Sequence, residues 1–340
     1  PWLLDPLDAD FRRYLIHYGE RLQSVYDAFN GETMSKAYGF SLYPRQSAWL
    51  GYVAVSTEEG KSVLGRRDIL VCWRGTLTSM EWFQDANFPA VPVGQVYGTT
   101  HNPKAHQGFF SVYAHKNPDS IYNKNSAREQ VSQTLPQVLA EVRALVDQYR
   151  DEETSITVVG HSLGASLATL NVADIVANNY HKPTGSSAGC LVTAFVYASP
   201  LVGDWGFYNM FNTLTDLRLL RIRNLPDPVP NLPPKLLGFF EVGKELQILV
   251  SSSYLKVLLN PHSLELYMHG VAGYNGIEPF KFVVQRDIAL LNKEDDHLKE
   301  EYNVPPKWRS MRNKAMYQSD DGSWKLHDYM PPPPETVVLL

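Results

Sequence analysis

The spacing of apolar positions along this chain switches between helical and strand-like periods, and each switch predicts a different element. Between Leu3 and Phe40 the apolar residues recur at helical intervals, which places them on one face of a helix. That face consists of Phe11, Leu15, Tyr18, Leu22 and Tyr26. A second stripe of this kind predicts a long helix from about Ala127 to Tyr149. We expect both helices to cover the core of the protein.

Short runs rich in valine, other β-branched residues or aromatics predict strands. These runs are Gly51 to Ser56, Ile69 to Trp73, Leu191 to Ala198 and Leu217 to Arg223. Helical segments alternate with the strands, and this alternation favours a mainly parallel sheet that is covered on both faces. Two later stretches, from Phe239 to Glu245 and from Leu246 to Ser251, predict an antiparallel hairpin at the edge of the sheet.

The segment from Ser155 to Ala165 predicts a strand, a sharp turn and a helix, with Ser162 at the apex of the turn. Gly160 and Gly164 flank the serine, and the absence of a Cβ at both positions permits a strained turn and close packing of the helix. This is the pattern of a nucleophile elbow, which presents a reactive serine. The alternative is a turn between glycines whose serine only caps the helix.

Composition and charge exclude several classes of protein. The 340 residues carry a formal net charge of -5 and show no basic stripe interleaved with aromatics, so a nucleic-acid partner is not expected. The two cysteines, Cys72 and Cys190, lie in apolar strand segments, and the ten histidines show no metal-ligand spacing. We therefore expect no disulfide framework, metal or cofactor. No apolar run reaches the roughly 18 residues that a membrane-spanning helix needs.

The candidate catalytic segments extend from residue 74 to residue 262, so most of the chain must close around one site. We therefore expect a single domain over residues 1–330, followed by a disordered proline-rich tail at residues 331–340. The start of the chain shows no signal or transit pattern, which favours a cytoplasmic protein. The alternative is a plastid protein from which an upstream transit segment has been removed.

A serine hydroxyl becomes a nucleophile only beside a base that a third group holds in place. In hydrolases with this elbow the chain order is serine, then acid, then histidine. Asp227 follows a predicted strand, at the sheet edge where parallel sheets place catalytic groups, and is the favoured acid. An Asx turn is the structural alternative for Asp227. Asp204 is the competing acid, although its position favours capping of the next helix.

Two histidines follow Asp227 in the required order. His262 comes after Pro261 at a loop-to-helix junction, from which its side chain can face the site. His269 lies two helical turns further on, and its structural interpretation is a packed core or surface histidine. The pattern favours His262 as the general base and keeps His269 as the alternative.

An oxyanion hole needs backbone N–H groups directed at the position where negative charge develops. The residue after the nucleophile, here Leu163, supplies one of them. We expect the second from the loop after the strand that ends at Trp73. In that loop Gly75 permits an unusual backbone angle, and Thr76 has both an N–H and a hydroxyl to donate.

Several separated motifs together resemble those of known lipid hydrolases. Three are similar, in order and spacing, to motifs of the class 3 lipases: Trp73 to Thr76, Gly160 to Gly164 and Asn224 to Pro230. Four more resemble plant class II phospholipase A1 proteins: Leu4 to Asp8, Tyr18 to Glu20, Gly65 to Ile69 and His262 through Gly276. The resemblance covers nearly the whole chain. It implies an α/β-hydrolase fold and a catalytic triad of Ser162, Asp227 and His262, although Ser263 stands where the family usually has aspartate.

The activity that this resemblance implies is release of a fatty acid from the sn-1 ester of a phospholipid or galactolipid through an acyl-enzyme. A triacylglycerol or monoacylglycerol lipase is the alternative within the same chemistry. A catalytically silent receptor or scaffold is the alternative from another class, since related folds serve many functions. The complete set of triad and oxyanion residues argues against that silent form. The expected partner is an acyl lipid, met at a membrane or another lipid interface.

An aromatic segment after the oxyanion loop resembles the family's lid. Trp82, Phe83 and Phe88 lie between Leu77 and Val91, in a stretch too interrupted by prolines for a buried strand. Exposed aromatics of this kind settle into a lipid interface. The alternative is an apolar loop packed on the core.

Replacing Trp82 and Phe83 by serine should lower activity on lipid vesicles far more than activity on a soluble short-chain ester. Each aromatic side chain that leaves water for lipid gains roughly 1.5 to 3 kcal/mol, which would offset the cost of opening a lid. Rates on both substrates, measured for the wild type and the double variant, test this expectation. Equal losses on the two substrates, or no loss on either, would identify the segment as a packed loop.

Overall fold

The structure is a computed structural model that describes residues 3–28, 50–76, 89–114, 128, 138–257, 259–273, 280–310 and 316–326. Within these ranges the α-helices are α1 (Ala9–Ala28), α2 (Glu58–Leu64), α3 (Gly94–Tyr97), α4 (Gln107–Ala114), α5 (Val138–Gln148), α6 (Leu163–Ala177), α7 (Trp205–Asn212) and α8 (Leu264–Ala272). None of these described helices is long and apolar enough to cross a membrane.

The described strands form one large sheet and two small ones. In chain order they are β1 (Gly51–Val55), β2 (Arg67–Trp73), β3 (Ala90–Pro92), β4 (Lys104–His106), β5 (Thr154–His161), β6 (Leu191–Tyr197), β7 (Gly203–Asp204), β8 (Leu217–Asn224), β9 (Phe239–Phe240), β10 (Lys244–Ile248), β11 (Met316–Gln318) and β12 (Trp324–Leu326). Short 3-10 turns occupy Val229–Asn231, Lys235–Leu237, Ile288–Asn292, Glu300–Tyr302 and Trp308–Ser310.

The large sheet has the strand order β1-β2-β5-β6-β8-β10. Its pairs from β2 to β10 are all parallel, and only β1 runs antiparallel to its neighbour. Successive side chains of β5 point to opposite faces, so Val158 and Val159 belong to two different apolar clusters. Helices α4 to α7 contribute to the first cluster, and α1 and α8 to the second. The predicted α/β-hydrolase fold, with a mainly parallel sheet covered on both faces, is confirmed.

Helix α1 is attached to the sheet by a buried carboxylate as well as by its apolar face. Asp68 on β2 accepts hydrogen bonds from Ser155 Oγ at 2.6 Å, Thr157 Oγ1 at 2.8 Å and the Tyr18 hydroxyl at 2.7 Å. Burial raises the pKa of Asp68, and these hydrogen bonds act in the opposite direction because they favour the charged form. Tyr18 therefore fixes the position of α1 along the sheet.

The two helices predicted from apolar stripes are present where the structure describes the chain. α1 contains the complete stripe from Phe11 to Tyr26 and ends at Ala28, and residues 29–40 of the predicted region lie outside the described residues. α5 confirms the second half of the longer helix, whose first part also lies outside them, apart from Arg128. The tail at residues 331–340 is likewise outside the described residues.

The predicted hairpin between residues 239 and 251 is wrong. β9 pairs antiparallel with β7 in the small sheet of order β3-β4-β7-β9, whereas β10 pairs parallel with β8 as the edge strand of the large sheet. Gly243 lies between them with a φ of 80°, and a Cβ there would meet Leu219 O at 2.5 Å. This turn brings the chain against β8. The strand before the turn, β9, and the strand after it, β10, therefore join different sheets. The prediction is right in one respect only, since β10 does lie at the edge of the large sheet.

Three segments that contain candidate catalytic residues follow the carboxyl ends of parallel strands. Gly75 and Thr76 follow β2, Ser162 follows β5, and Asp227 follows β8. Since parallel strands end at one edge of the sheet, this topology gathers them on one side of the molecule.

Gly164→Ala should destabilise the protein by about 3 kcal/mol or more, because the added Cβ would lie 2.0 Å from Trp73 O and the backbone cannot yield cheaply. Gly60→Ala, in α2, is the matched control. Its nearest neighbour would be the Ser56 Cβ at 3.3 Å, so its stability should change by no more than about 1 kcal/mol. Denaturant unfolding of both variants checks the difference. Equal denaturation midpoints for the two variants would show that the close approach of the backbone at Gly164 is not required for stability.

Candidate active site

Ser162 occupies a strained turn between β5 and α6. Its φ of 59° and ψ of -125° lie outside the ordinary regions for a residue with a side chain. Such strain costs on the order of 1–3 kcal/mol and must be held by the surroundings, here partly by the Ser162 N–H bond to Tyr197 O at 3.0 Å. The serine is only 4% exposed, and it lines a cavity of about 460 Å³.

The structure brings the three predicted triad residues into one hydrogen-bonded chain. His262 Nε2 lies 2.8 Å from Ser162 Oγ, and His262 Nδ1 lies 2.8 Å from Asp227 Oδ2. A carboxylate only accepts hydrogen bonds, so Nδ1 carries the imidazole proton and Nε2 offers its lone pair to the serine hydroxyl. This is the arrangement that a general base needs.

Asp227 is fully buried, and three donors hold its carboxylate. Besides His262, the Tyr267 hydroxyl donates to Oδ2 at 2.7 Å and the Val229 N–H donates to Oδ1 at 2.9 Å. Burial, together with the Asp227 charge, raises the pKa of Tyr267 well above its usual value. Tyr267 therefore stays protonated and remains a donor to the carboxylate.

The two competing residues lie in other environments. Asp204 caps α7, where its Oδ1 accepts the Phe207 N–H at 2.9 Å, as the sequence suggested. His269 is completely buried in α8, 2.8 Å from the Tyr254 hydroxyl and stacked on the Phe280 ring at 4.6 Å. Burial, aided by nearby Arg286, lowers the pKa of His269 to about 3. These contacts match the structural interpretation of His269.

The two predicted oxyanion residues both lie near the serine. Leu163 is the first residue of α6, so its N–H is at the helix end where N–H groups lack intrahelical partners and carry partial positive charge. Thr76 lines the same cavity as Ser162. Both oxyanion candidates are therefore placed beside the nucleophile.

Beyond the triad, Thr76 and His161, the cavity wall carries mostly polar residues, although apolar atoms supply more of its surface than polar atoms do. It is formed by Gln23, Tyr26, Asn260, Ser263, Leu264, Glu265, Glu294, Asp295 and Arg309. Glu265 is ion-paired with Arg286, and Arg309 with Glu294, so these charges are compensated within the protein. No group of three or more His, Cys, Asp or Glu side chains suited to a metal ion occurs in the described ranges.

Sequence reasoning missed two tyrosines that contact this site. Tyr26 was assigned to the apolar face of α1, and periodicity gives no indication that its hydroxyl is used. Tyr267 lies on α8, which begins shortly after His262. Only the three-dimensional position of Asp227 reveals the role of Tyr267. The proposed lid residues Trp82, Phe83 and Phe88 lie outside the described residues.

Comparison with known proteins gives consistent similarities. The family Lipase (class 3) matches residues 70–237. Phospholipase A1-II 4 of Oryza sativa subsp. japonica is 45% identical over 376 aligned positions, which cover 96% of this chain and 92% of that protein. Phospholipase A1-IIgamma of Arabidopsis thaliana is 42% identical, over 96% and 90% of the two chains. Among solved structures, the triacylglyceride lipase of Rhizomucor miehei gives a TM-score of 0.41 at 24% identity, over 58% and 62% of the two chains.

Ser162→Ala should abolish ester hydrolysis with little change in thermal unfolding. The hydroxyl supplies the reacting oxygen, and loss of such a group can lower kcat on the order of a millionfold. Turnover of a short-chain ester by the purified variant, compared with the wild type, is the measurement. Turnover near the wild-type rate would remove Ser162 from the mechanism.

His262→Ala should be about as damaging as the serine substitution, and the double variant Ser162→Ala/His262→Ala no worse than either, because the two groups act as one unit. His269→Ala should retain kcat per folded molecule but lower the unfolding temperature, since it leaves a cavity and removes the partner of Tyr254. Kinetics and thermal unfolding of all three variants separate these effects. If His269→Ala were folded and inactive, the assignment of the base would be wrong.

Proposed function

This chain belongs to the class 3 lipases and, among them, to the plant phospholipase A1-II proteins, and on that premise we propose its reaction. The chain is a hydrolase of lipid esters. We propose that its substrate is a phospholipid or galactolipid, that it cleaves the sn-1 acyl ester, and that cleavage passes through an acyl-enzyme on Ser162. The observation that carries the mechanism is the unbroken hydrogen-bond chain from Asp227 through His262 to Ser162.

In the first half of the reaction, His262 Nε2 takes the proton of Ser162 Oγ while the oxygen attacks the ester carbonyl. The imidazolium that forms is stabilised by the Asp227 carboxylate, which stays oriented because Tyr267 and Val229 hold its oxygens. The carbonyl oxygen becomes an oxyanion, to which the N–H groups of Leu163 and Thr76 donate. When the tetrahedral intermediate collapses, His262 returns the proton to the departing glyceryl oxygen.

In the second half, a water molecule replaces the alcohol. His262 removes one proton from this water, and the resulting hydroxide attacks the acyl carbon bound to Ser162. The same N–H groups hold the second oxyanion, and its collapse releases the fatty acid and restores the serine hydroxyl. The balance is one ester and one water converted to one acid and one alcohol, and every proton passes through His262.

The choice of the sn-1 ester rests on relatives that are named phospholipase A1 and that match this chain over nearly its whole length. The intact geometry of the triad argues against a silent scaffold, which would have no need of a serine held in a strained conformation. Because an acyl lipid is held in aggregates, we propose that the protein acts at a lipid interface.

A phospholipid with different labelled acyl chains at sn-1 and sn-2 tests the proposal. The wild type should release the sn-1 acid and leave a lysolipid that retains its sn-2 chain. The matched control is Ser162→Ala on the same vesicles, which should release neither label. Parallel assays on a galactolipid and a triacylglycerol rank the substrate classes. Release of the sn-2 acid first, or hydrolysis of triacylglycerol alone, would contradict the proposal.

A further inference from the structure

Tyr26, near the end of α1, connects two parts of the candidate site that are far apart in the chain. Its hydroxyl lies 2.7 Å from the Gly75 N–H, in the loop that holds Thr76. It also lies 2.7 Å from Nδ1 of His161, the residue before the nucleophile. On the other side of the His161 ring, Nε2 lies 2.8 Å from the main-chain oxygen of His262. One side chain from α1 therefore joins the oxyanion loop, the elbow and the loop of the base.

The groups at the two ends of this network determine the direction of every hydrogen bond in it. The Gly75 N–H can only donate, and the carbonyl of His262 can only accept. His161 therefore carries its proton on Nε2, and its Nδ1 accepts the proton of the Tyr26 hydroxyl. Burial is the largest effect that lowers the pKa of His161 well below its usual value, so the ring stays neutral and Nδ1 stays available. Burial also raises the pKa of Tyr26, which keeps the hydroxyl protonated.

Two hydrogen bonds hold the peptide groups on the two sides of Gly75, since its N–H belongs to the Arg74–Gly75 peptide and its carbonyl oxygen to the Gly75–Thr76 peptide. The N–H of Gly75 is bound by Tyr26, and the carbonyl oxygen of Gly75 accepts from Arg74 Nη1 at 2.7 Å. In a trans peptide the N–H points opposite to the carbonyl. The Thr76 N–H is therefore directed away from Arg74, and Thr76 lines the cavity that contains Ser162. Because the Gly75 N–H already binds Tyr26, it does not serve the oxyanion, and the donor proposed from this loop is the Thr76 N–H.

The loop also has no room to slide. A Cβ at Gly75 would lie 2.6 Å from the Tyr26 hydroxyl oxygen, 2.9 Å from His161 O and 2.9 Å from the Ser162 Cβ. The backbone of the oxyanion loop is thus packed directly against the nucleophile and against Tyr26. Small displacements of a positioned donor matter, since about 1 Å can cost on the order of a hundredfold in rate.

We propose that Tyr26 is a positioning residue that anchors the Gly75 N–H and thereby keeps the next peptide, Gly75–Thr76, in the orientation that binds the oxyanion. The inference rests on the proposed function, because it assigns Tyr26 a part in that reaction. Tyr26 touches neither the ester nor the water. Its effect passes through Gly75 to the Thr76 N–H, and through His161 to the loop that carries His262.

Tyr26→Phe tests the proposal, with Tyr18→Phe as the matched control. Tyr18 lies on the same helix and is buried, whereas Tyr26 is half-buried, and the Tyr18 hydroxyl also makes hydrogen bonds, with Asp68 and Tyr14, outside the cavity. Each variant loses the two hydrogen bonds of one tyrosine hydroxyl and should unfold at lower temperature. Only Tyr26→Phe should lower kcat, by roughly 10- to 100-fold, with KM changed by less than about twofold, because the missing interaction acts in the transition state.

A long-chain alkylboronic acid supplies the readout that a purely structural role would not move. Its boron binds the serine oxygen and forms a tetrahedral adduct that mimics the transition state, so Tyr26→Phe should weaken its inhibition by the same factor by which kcat/KM falls. Tyr18→Phe should leave this inhibition unchanged. Equal kinetics for the two variants, or lost kcat with unchanged boronate affinity, would overturn the role of Tyr26. Failure of the proposed function has a different signature, namely a wild type that does not release the sn-1 acid and is not inhibited by the boronate.

Discussion

The close contact between the end of β2 and the start of α6 is the constraint on which the active site depends. At Gly164 a single added carbon would lie 2.0 Å from Trp73 O, and at Gly160 it would lie 2.2 Å from Gly164 O. Two glycines without side chains therefore let the strand, the elbow and the helix meet backbone to backbone. The result is that Thr76 and Leu163, which follow different strands, both lie beside Ser162. Any residue with a side chain at Gly164 would separate the two halves of the proposed oxyanion hole.

Two hydrogen-bond chains then converge on His262, one through its ring and one through its main chain. The ring connects Asp227 to Ser162, and in the proposed reaction this chain moves the proton. The main-chain oxygen accepts from His161, whose other ring nitrogen binds Tyr26. In the proposed reaction the first chain performs acid–base chemistry, while the second is proposed to fix backbone positions and stays neutral because burial lowers the pKa of His161. The proposed proton transfer and the positions of the backbone thus depend on different residues, and the two chains meet at the loop that carries His262.

What the sequence predicts well is local, and what it misses depends on distant contacts. The strand-to-helix switch at Ser162 and the apolar stripe of α1 are visible within a few residues, and the structure contains both. The hairpin prediction fails because strand pairing is not local, and β10 finds its partner in β8. Tyr26 escaped notice because an apolar stripe does not reveal that one of its members binds His161. Chain order leaves His262 and His269 both open, the loop-to-helix junction and the family resemblance favour His262, and the surroundings of the two rings in the structure agree with that choice.

The most direct test of this account is to locate the nucleophile chemically in the native protein. A long-chain alkyl fluorophosphonate reacts with an activated serine, whose oxygen binds phosphorus as fluoride departs. Peptide mass spectrometry after partial reaction should find one adduct, on Ser162, and phospholipid hydrolysis should fall in proportion to the labelled fraction. Full hydrolysis by completely labelled protein, or an adduct on another residue that tracks the loss of activity, would contradict the account.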